Sequence, residues 1–428
     1  MNRGRRNALL WTLLSVSVFA GLTAVVIVYR ANLGLSAGER AMQLGQWEVA
    51  RKQLNRFLWL HPEDDRARMM IAEVLVKDES LDGQQAVDRA IEHLECVTDD
   101  SLLAATARMR QARIELLMLQ HPGRAEALLR RSLELNADQL DSNYLMWKLL
   151  DLTSRGNWCE PNFWKVFDQT PQAQRASRLR EWYMSQFYPG SANPTLNRMM
   201  GFLEEGQPDG VLVERFRLVV FLKDEPDRAV NYAAWAWWLH DDGNPKLALD
   251  VLEQGMQKLK QPQQNAFFVS VMLTVLFDLG RFDEMGRWMD LWPEPHSGFP
   301  YLRWKAVYLD EVEGEYAEAL TQYERAIVIW PGPADWRIQS QMANCLSRMG
   351  RLDRAAAVRS RAKQIEELMD VEVHAHLRKV LGDLDNAERL EEIVEFYRKI
   401  DRPREADAWQ AHVDALRNSS AQGSQRPL

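Results

Sequence analysis

The stretch Gly314–Pro331, GEYAEALTQYERAIVIWP, places Gly314, Tyr316, Ala319, Tyr323, Ala326 and Pro331 at offsets that close one helical hairpin and build its second helix. Each residue has a mechanical task. Gly314 gives a tight interhelical turn its conformational freedom, the alanines let neighbouring helices approach closely, and Pro331 ends the helix. None of these residue types at this spacing supplies reacting chemistry.

Working outward, equivalent turns recur at Gly280-Arg281-Phe282 and Gly350-Arg351-Leu352, 34 and 36 residues from one another through Gly314. Upstream, Asp227 to Asp241 reads as a first helix with Tyr232, Trp235, Ala236 and Leu239 on its inward stripe, and Leu247 to Leu259 as its partner with Ala248, Leu252 and Gly255 at packing sites. Downstream, Leu390 to Ile400 and Arg404 to Leu416 form a last pair with Ala406 at the small-residue offset, followed by a Ser/Gln/Gly-rich tail, 418–428, expected to be disordered. An N-terminal array is expected over 36–160. It has a short helix from Ser36 to Leu44, a turn at Gly45-Gln46-Trp47 followed by Leu54, Phe57 and Pro62, and further hairpins over 66–97 and 102–135 with Ala125, Leu129, Ser132 and Ala137 at the repeat offsets. Between the arrays the pattern fails. Pro161, Pro171, Pro189, Pro194 and Pro208 cut 161–225 into short pieces, read as irregular helices or an inter-array joint.

This recurrence resembles the tetratricopeptide repeat family, strongly over 41–62 and 227–363 and weakly in the middle. The expected fold is all-α, a helical-hairpin solenoid. The resemblance implies a concave face built from the first helix of each hairpin and a role in binding proteins or peptides. Carried over by register, that groove holds Phe267, Ser270, Thr274 and Phe277; Tyr301, Trp304, Tyr308 and Glu311; and Arg337, Ser340, Asn344 and Ser347, with Trp237 and His240 extending it upstream. An aromatic floor of this kind would bury an apolar or proline-rich segment, with Arg337 and Asn344 hydrogen-bonding its backbone or a carboxylate. The competing reading is that aromatics at helical spacing form core. The family's two-carboxylate clamp needs a basic residue where Ser340 and Ser270 stand, which argues against that mode.

At the other end of the chain, Arg3, Arg5 and Arg6 precede an uncharged apolar stretch, 7–29, long enough to cross a bilayer core as a helix. The expectation is a signal-anchor with 1–6 cytoplasmic and the repeats outside the cytoplasm, periplasmic in a bacterium; a secretory signal cut after Ala20 is the rival.

Composition supports a structured chain, with 46% apolar and 27% charged residues. Beyond residue 30 the balance is 49 basic against 61 acidic residues, which argues against a general nucleic-acid surface. Cys96, Cys159 and Cys345 form no paired motif and read as inert thiols. His374-Ala375-His376 reads as solvated surface, since residues two apart point to different helical faces. No catalytic, cofactor or metal motif occurs, so no enzyme activity is expected from the chain alone. Two functions follow. One is a membrane-anchored scaffold or adaptor binding protein partners through the groove, and the other a non-catalytic regulatory subunit of a membrane or envelope enzyme complex. Bacterial membrane-anchored adaptors of the repeat family end in a cysteine-paired metal knuckle, and this chain ends in a plain Ser/Gln tail.

Overall fold

Helical hairpins account for nearly every element of the computed structural model, which describes residues 33–188, 194–202 and 211–423. The helices are α1 Gly34–Gln43, α2 Trp47–Leu60, α3 Asp65–Lys77, α4 Gly83–Glu95, α5 Ala104–Leu117, α6 Pro122–Leu135 and α7 Leu140–Leu152. They continue as α8 Glu160–Gln169, α9 Gln172–Phe187, α10 Pro194–Met199, α11 Val211–Asp224, α12 Ala229–Asp241, α13 Pro245–Lys258, α14 Ala266–Asp278 and α15 Phe282–Asp290. The last are α16 Gly298–Tyr308, α17 Tyr316–Ala326, α18 Trp336–Arg348, α19 Leu352–Leu368, α20 Val371–Val380, α21 Ala387–Lys399 and α22 Pro403–Gly423. No strand occurs among the described residues.

Two compact units divide the chain, one of residues up to 118 with 127–142, the other of 119–126 with 143–428. In the first, α1 to α5 pack in consecutive pairs. Leu54 and Phe57 are buried as expected, Asp64 and Asp82 cap α3 and α4 through their side chains, and Arg51 holds the buried Asp78 at 2.9 Å. Ser132 donates to the Ala105 carbonyl at 2.7 Å, and its hydroxyl lies 2.7 Å from that of Ser142.

In the second unit the hairpins α12/α13, α14/α15, α16/α17 and α18/α19 stack in sequence order. Gly280, Gly314 and Gly350 take φ of +69°, +71° and +74°. That left-handed conformation strains any residue with a Cβ and explains the turn glycines. Ala319, Tyr323 and Ala326 are fully buried, so the deciding stretch packs as its spacing dictates. Pro331 does not end that helix, however. α17 stops at Ala326 and the chain doubles back so tightly that a Cβ on Gly332 would meet the Ala326 carbonyl oxygen at 2.3 Å. This fold-back carries Trp330 into the core, where it is 4% exposed. On α12, Tyr232, Ala236 and Leu239 are buried, whereas Trp235 is only half-buried and stacks on Trp238 at 5.1 Å.

Within the middle segment, Pro161 and Pro171 fall at helix starts, while Pro189 and Pro208 lie outside the described residues. Pro161 sits in the first turn of α8, where its missing N–H removes no intrahelical bond, and Pro171 immediately precedes α9. These helices share a dense aromatic core. Phe163 stacks parallel on Trp182 at 4.5 Å, Trp147 meets Phe163 edge-on at 5.1 Å, and Trp147 and Trp182 are fully buried.

The membrane placement expected from the sequence is corrected. Among the described residues no helix is long and apolar enough to cross a membrane, and the stretch 7–29 lies outside them. At the other terminus α22 runs through Gly423, into the stretch expected to be disordered, and 424–428 lie outside the described residues.

Candidate functional site

The first helices of the second unit, α12, α14, α16 and α18, have two very different ends. Where they begin, the unit's own middle segment packs against them. Trp158 meets Phe267, near the start of α14, edge-on at 5.7 Å, with the Arg155 guanidinium over the same ring at 5.5 Å. Phe187, at the end of α9, lies 5.8 Å from Trp330, just ahead of α18, and 4.7 Å from His374 in the first turn of α20.

The same segment is clamped to the last hairpin by a buried polar network. Glu405, 1% exposed, accepts from Trp182 Nε1 at 3.2 Å, from Gln186 Nε2 at 3.4 Å and from Arg402 Nε at 3.0 Å. Tyr397 donates to Gln186 Oε1 at 2.7 Å, and Arg402 also bonds Glu160. Burial drives the Tyr397 hydroxyl well above its ordinary pKa. Arg404 pairs with Asp168 at 3.1 Å and lies over the Trp164 ring at 3.9 Å. His374 is buried rather than solvated. Its Nδ1 is 2.7 Å from the Tyr183 hydroxyl, and burial holds its pKa down at about 4. His376 faces outward and pairs with Glu392 at 2.6 Å, so the two histidines do occupy different faces. Among the described residues no group of His, Cys, Asp and Glu could hold a metal ion.

Where the first helices end, five of the residues expected in a groove, Trp237, His240, Phe277, Tyr308 and Asn344, are incompletely buried. Trp237 and His240 are half-buried at the end of α12, and His240 Nε2 reaches Asp278 at the end of α14 at 2.5 Å. Phe277, also half-buried, lies 5.9 Å from Trp304. Tyr308 closes α16 half-exposed, packed over Gly286. Asn344 is exposed on α18, and its Oδ1 accepts from Arg359 at 3.4 Å; Arg359 also reaches the Ser347 hydroxyl at 3.3 Å.

The other expected groove residues are placed differently. Trp304, Phe267 and Thr274 are 2%, 5% and 6% exposed, and the Thr274 hydroxyl donates to the Ser270 carbonyl within its own helix. They fill the space between helices and leave no face for a ligand. Tyr301 stacks on His296 at 4.9 Å, and Arg337 is exposed at the start of α18 with its guanidinium over Trp336 at 5.1 Å.

One feature of the open end was not legible in the sequence. After Tyr308 the backbone widens into a π turn over Leu309–Glu313 before Gly314. This turns Asp310 inward, 2% exposed, and Glu311 outward. Asp310 accepts from Arg348 Nη1 at 2.6 Å and from the Tyr323 hydroxyl at 3.3 Å, while both Glu311 oxygens take Arg348 Nη2 at 3.0 Å. Burial raises the Asp310 pKa despite Arg348, and that of the Tyr323 hydroxyl as well. The buried Cys345 thiol is pushed up to about 12, and burial raises Cys159 too, so neither is a nucleophile at neutral pH; Cys96 is exposed.

No protein-family model and no curated protein sequence matches the chain. Among solved structures it is similar to the P58(IPK) TPR domain, at 16% identity over 92% of this chain and 99% of that one, with a TM-score of 0.23. It is also similar to the APC/C hetero-tetramer Cut9–Hcn1 (11% identity, 90% of this chain, 73% of that one, TM-score 0.35) and to yeast Tom70 (14%, 90% and 92%, TM-score 0.29). The hairpins, their left-handed turn glycines and their buried small residues give the chain a TPR-like helical-hairpin fold.

Proposed function

We propose that the chain is a non-catalytic interaction scaffold, and that the open ends of its C-terminal first helices take a segment of a protein partner. The observation behind this reading is the row of incompletely buried side chains on four successive first helices, Trp237 with His240, Phe277, Tyr308 and Asn344. Side chains tied to one another by short polar contacts, such as His240 to Asp278 and Arg348 to Glu311, have already lost much of their conformational freedom. A ligand that packs on them therefore has less ordering cost to overcome. Half-buried aromatics suit this role because they offer a large apolar face at low entropy cost. Near the opposite ends, Phe267 of α14 lies against Trp158 and Arg155, and Trp330, ahead of α18, lies against Phe187 of α9, which supports directing the partner to the open ends.

The test is affinity capture with the full chain, a Trp237→Ala/Asn344→Ala variant and a Leu247→Ala control on the exposed side of α13. A partner retained by the parent and the control, and lost from the double variant while helicity is unchanged, supports the reading. Retention by all three proteins sinks it.

A further inference from the structure

We infer that the segment taken by these open ends is cationic, a stretch of a protein partner bearing Lys or Arg side chains; this rests on the groove reading above. The ends consist of Trp237–Asn244, Thr274–Phe282, Tyr308–Tyr316 and Asn344–Leu352, which together hold seven carboxylates and three arginines. Two of those arginines are engaged, Arg348 by Asp310 and Glu311, and Arg281 by Glu284 at 2.5 Å; of the carboxylates, Asp310 is buried, Asp278 is held by His240 and Glu311 by Arg348, and two further cations, Arg359 at Asn344 and Lys305 at Tyr308, reach the same end. Asp241, Asp242 and Glu313 are exposed. Helix dipoles do not alter this balance, because every first helix ends beside the start of its hairpin partner and the opposite partial charges offset each other. Side-chain charge therefore sets the sign of the surface.

The aromatic members of the row point to the same ligand. A cation over an aromatic face gains from the ring quadrupole, most of all over Trp, and the row supplies Trp237, Phe277 and Tyr308 beside the carboxylates. Tyr308 already takes Lys305 Nζ at 5.7 Å from its ring. A segment alternating cationic and apolar residues would meet both kinds of surface along the row, whereas an acidic segment would face like charge at the ends of α12 and α16, which hold six of the seven carboxylates.

The experiment uses the full chain and two short fluorescein-labelled peptides, one alternating Leu with Arg and one alternating Leu with Glu, followed by fluorescence anisotropy at low and high salt. The Leu/Arg peptide is expected to bind at least roughly tenfold tighter and to weaken as salt rises. Asp241→Asn/Glu313→Gln should weaken it about fivefold, and Trp237→Ala by a similar factor. Asp250→Asn/Glu388→Gln, which removes two exposed carboxylates outside the row, should leave it unchanged. Tighter binding of the Leu/Glu peptide, still lost on Trp237→Ala, would overturn the cationic assignment and leave the groove reading intact. Binding of the Leu/Arg peptide that falls equally with the control pair would show that it follows overall charge, which also overturns the assignment. If no peptide binding responds to Trp237→Ala, both readings fail.

Discussion

The beginnings and the ends of the first helices in the C-terminal array are built from the same residue types and meet opposite fates. Phe267 and Trp330, at the beginnings, are sealed beneath Trp158 and Phe187, and beside them Glu405 and Arg402 are locked into a buried network. Trp237, Phe277 and Tyr308, at the ends, keep part of their rings exposed. Aromatic content therefore does not tell a binding surface from a core; what matters is whether another part of the chain returns to cover it. Here the covering parts are the turn carrying Arg155 and Trp158 and the end of α9, and α9 is clamped to a hairpin more than two hundred residues later in the chain.

The largest effects are expected at the covered end. Trp182→Ala removes a fully buried ring stacked on Phe163 and donating to Glu405, and should lower unfolding free energy by about 3–5 kcal/mol, read from urea denaturation. Arg402→Ala leaves Glu405 buried without its cation and should lower stability by about 3–5 kcal/mol. In Arg402→Ala, a second substitution, Glu405→Gln, should recover part of the loss. A loss below about 1 kcal/mol in both single variants would mean that the covering segment is only loosely held.

Next come two opposed pH effects. His374 has its pKa depressed from 6.5 to about 4, so the unfolded chain binds the proton more tightly, and stability drains away as pH falls from about 6.5 towards 4, by up to about 3 kcal/mol. Glu214, on α11 with the Ser154 hydroxyl donating to its carboxylate at 3.2 Å, is raised by burial from 4.5 to about 7, so its contribution has the other sign: stability falls as pH rises through that window. The two partly cancel in the parent protein. His374→Phe should therefore become more stable on mild acidification than at pH 7. An unchanged profile in urea midpoints would show that His374 is not held neutral.

Smaller effects are expected at the open end. Gly350→Ala forces a Cβ into a φ of +74° and should cost about 1 kcal/mol, seen as a lower Tm. Trp237→Ala removes a half-exposed ring and should change stability by less than about 1 kcal/mol while weakening partner binding about fivefold. A stability loss as large as that of Trp182→Ala would place Trp237 in the core and erase the contrast between the two ends.

Much of the hairpin pattern was legible because it is local. The positive φ of Gly280, Gly314 and Gly350 follows from turns only a few residues long, and Ala319, Tyr323 and Ala326 sit on one helical face by the 3.6-residue period alone. Leu54 and Phe57 were placed by the same period. Which of the expected groove residues are buried was not legible, since the register that assigns Trp304 and Tyr308 to one face does not say which of them a neighbouring helix will cover. The π turn at Leu309–Glu313 shifts that register again, turning Asp310 inward. His374 looked like surface because its shielding rings, Tyr183 and Phe187, come from a helix nearly two hundred residues earlier.

By itself, the sequence determined that this chain is helical, that its helices pair through glycine turns, and that small residues set the close contacts, since all of these depend on backbone freedom and side-chain size within one or two turns. Tertiary structure alone decided that α8 and α9 form a regular aromatic core, that Glu405 is buried among Trp182, Gln186 and Arg402, and that only one end of the first helices stays open. Those outcomes rest on contacts between residues far apart in the chain, where burial depends on which surfaces meet and no local spacing records it.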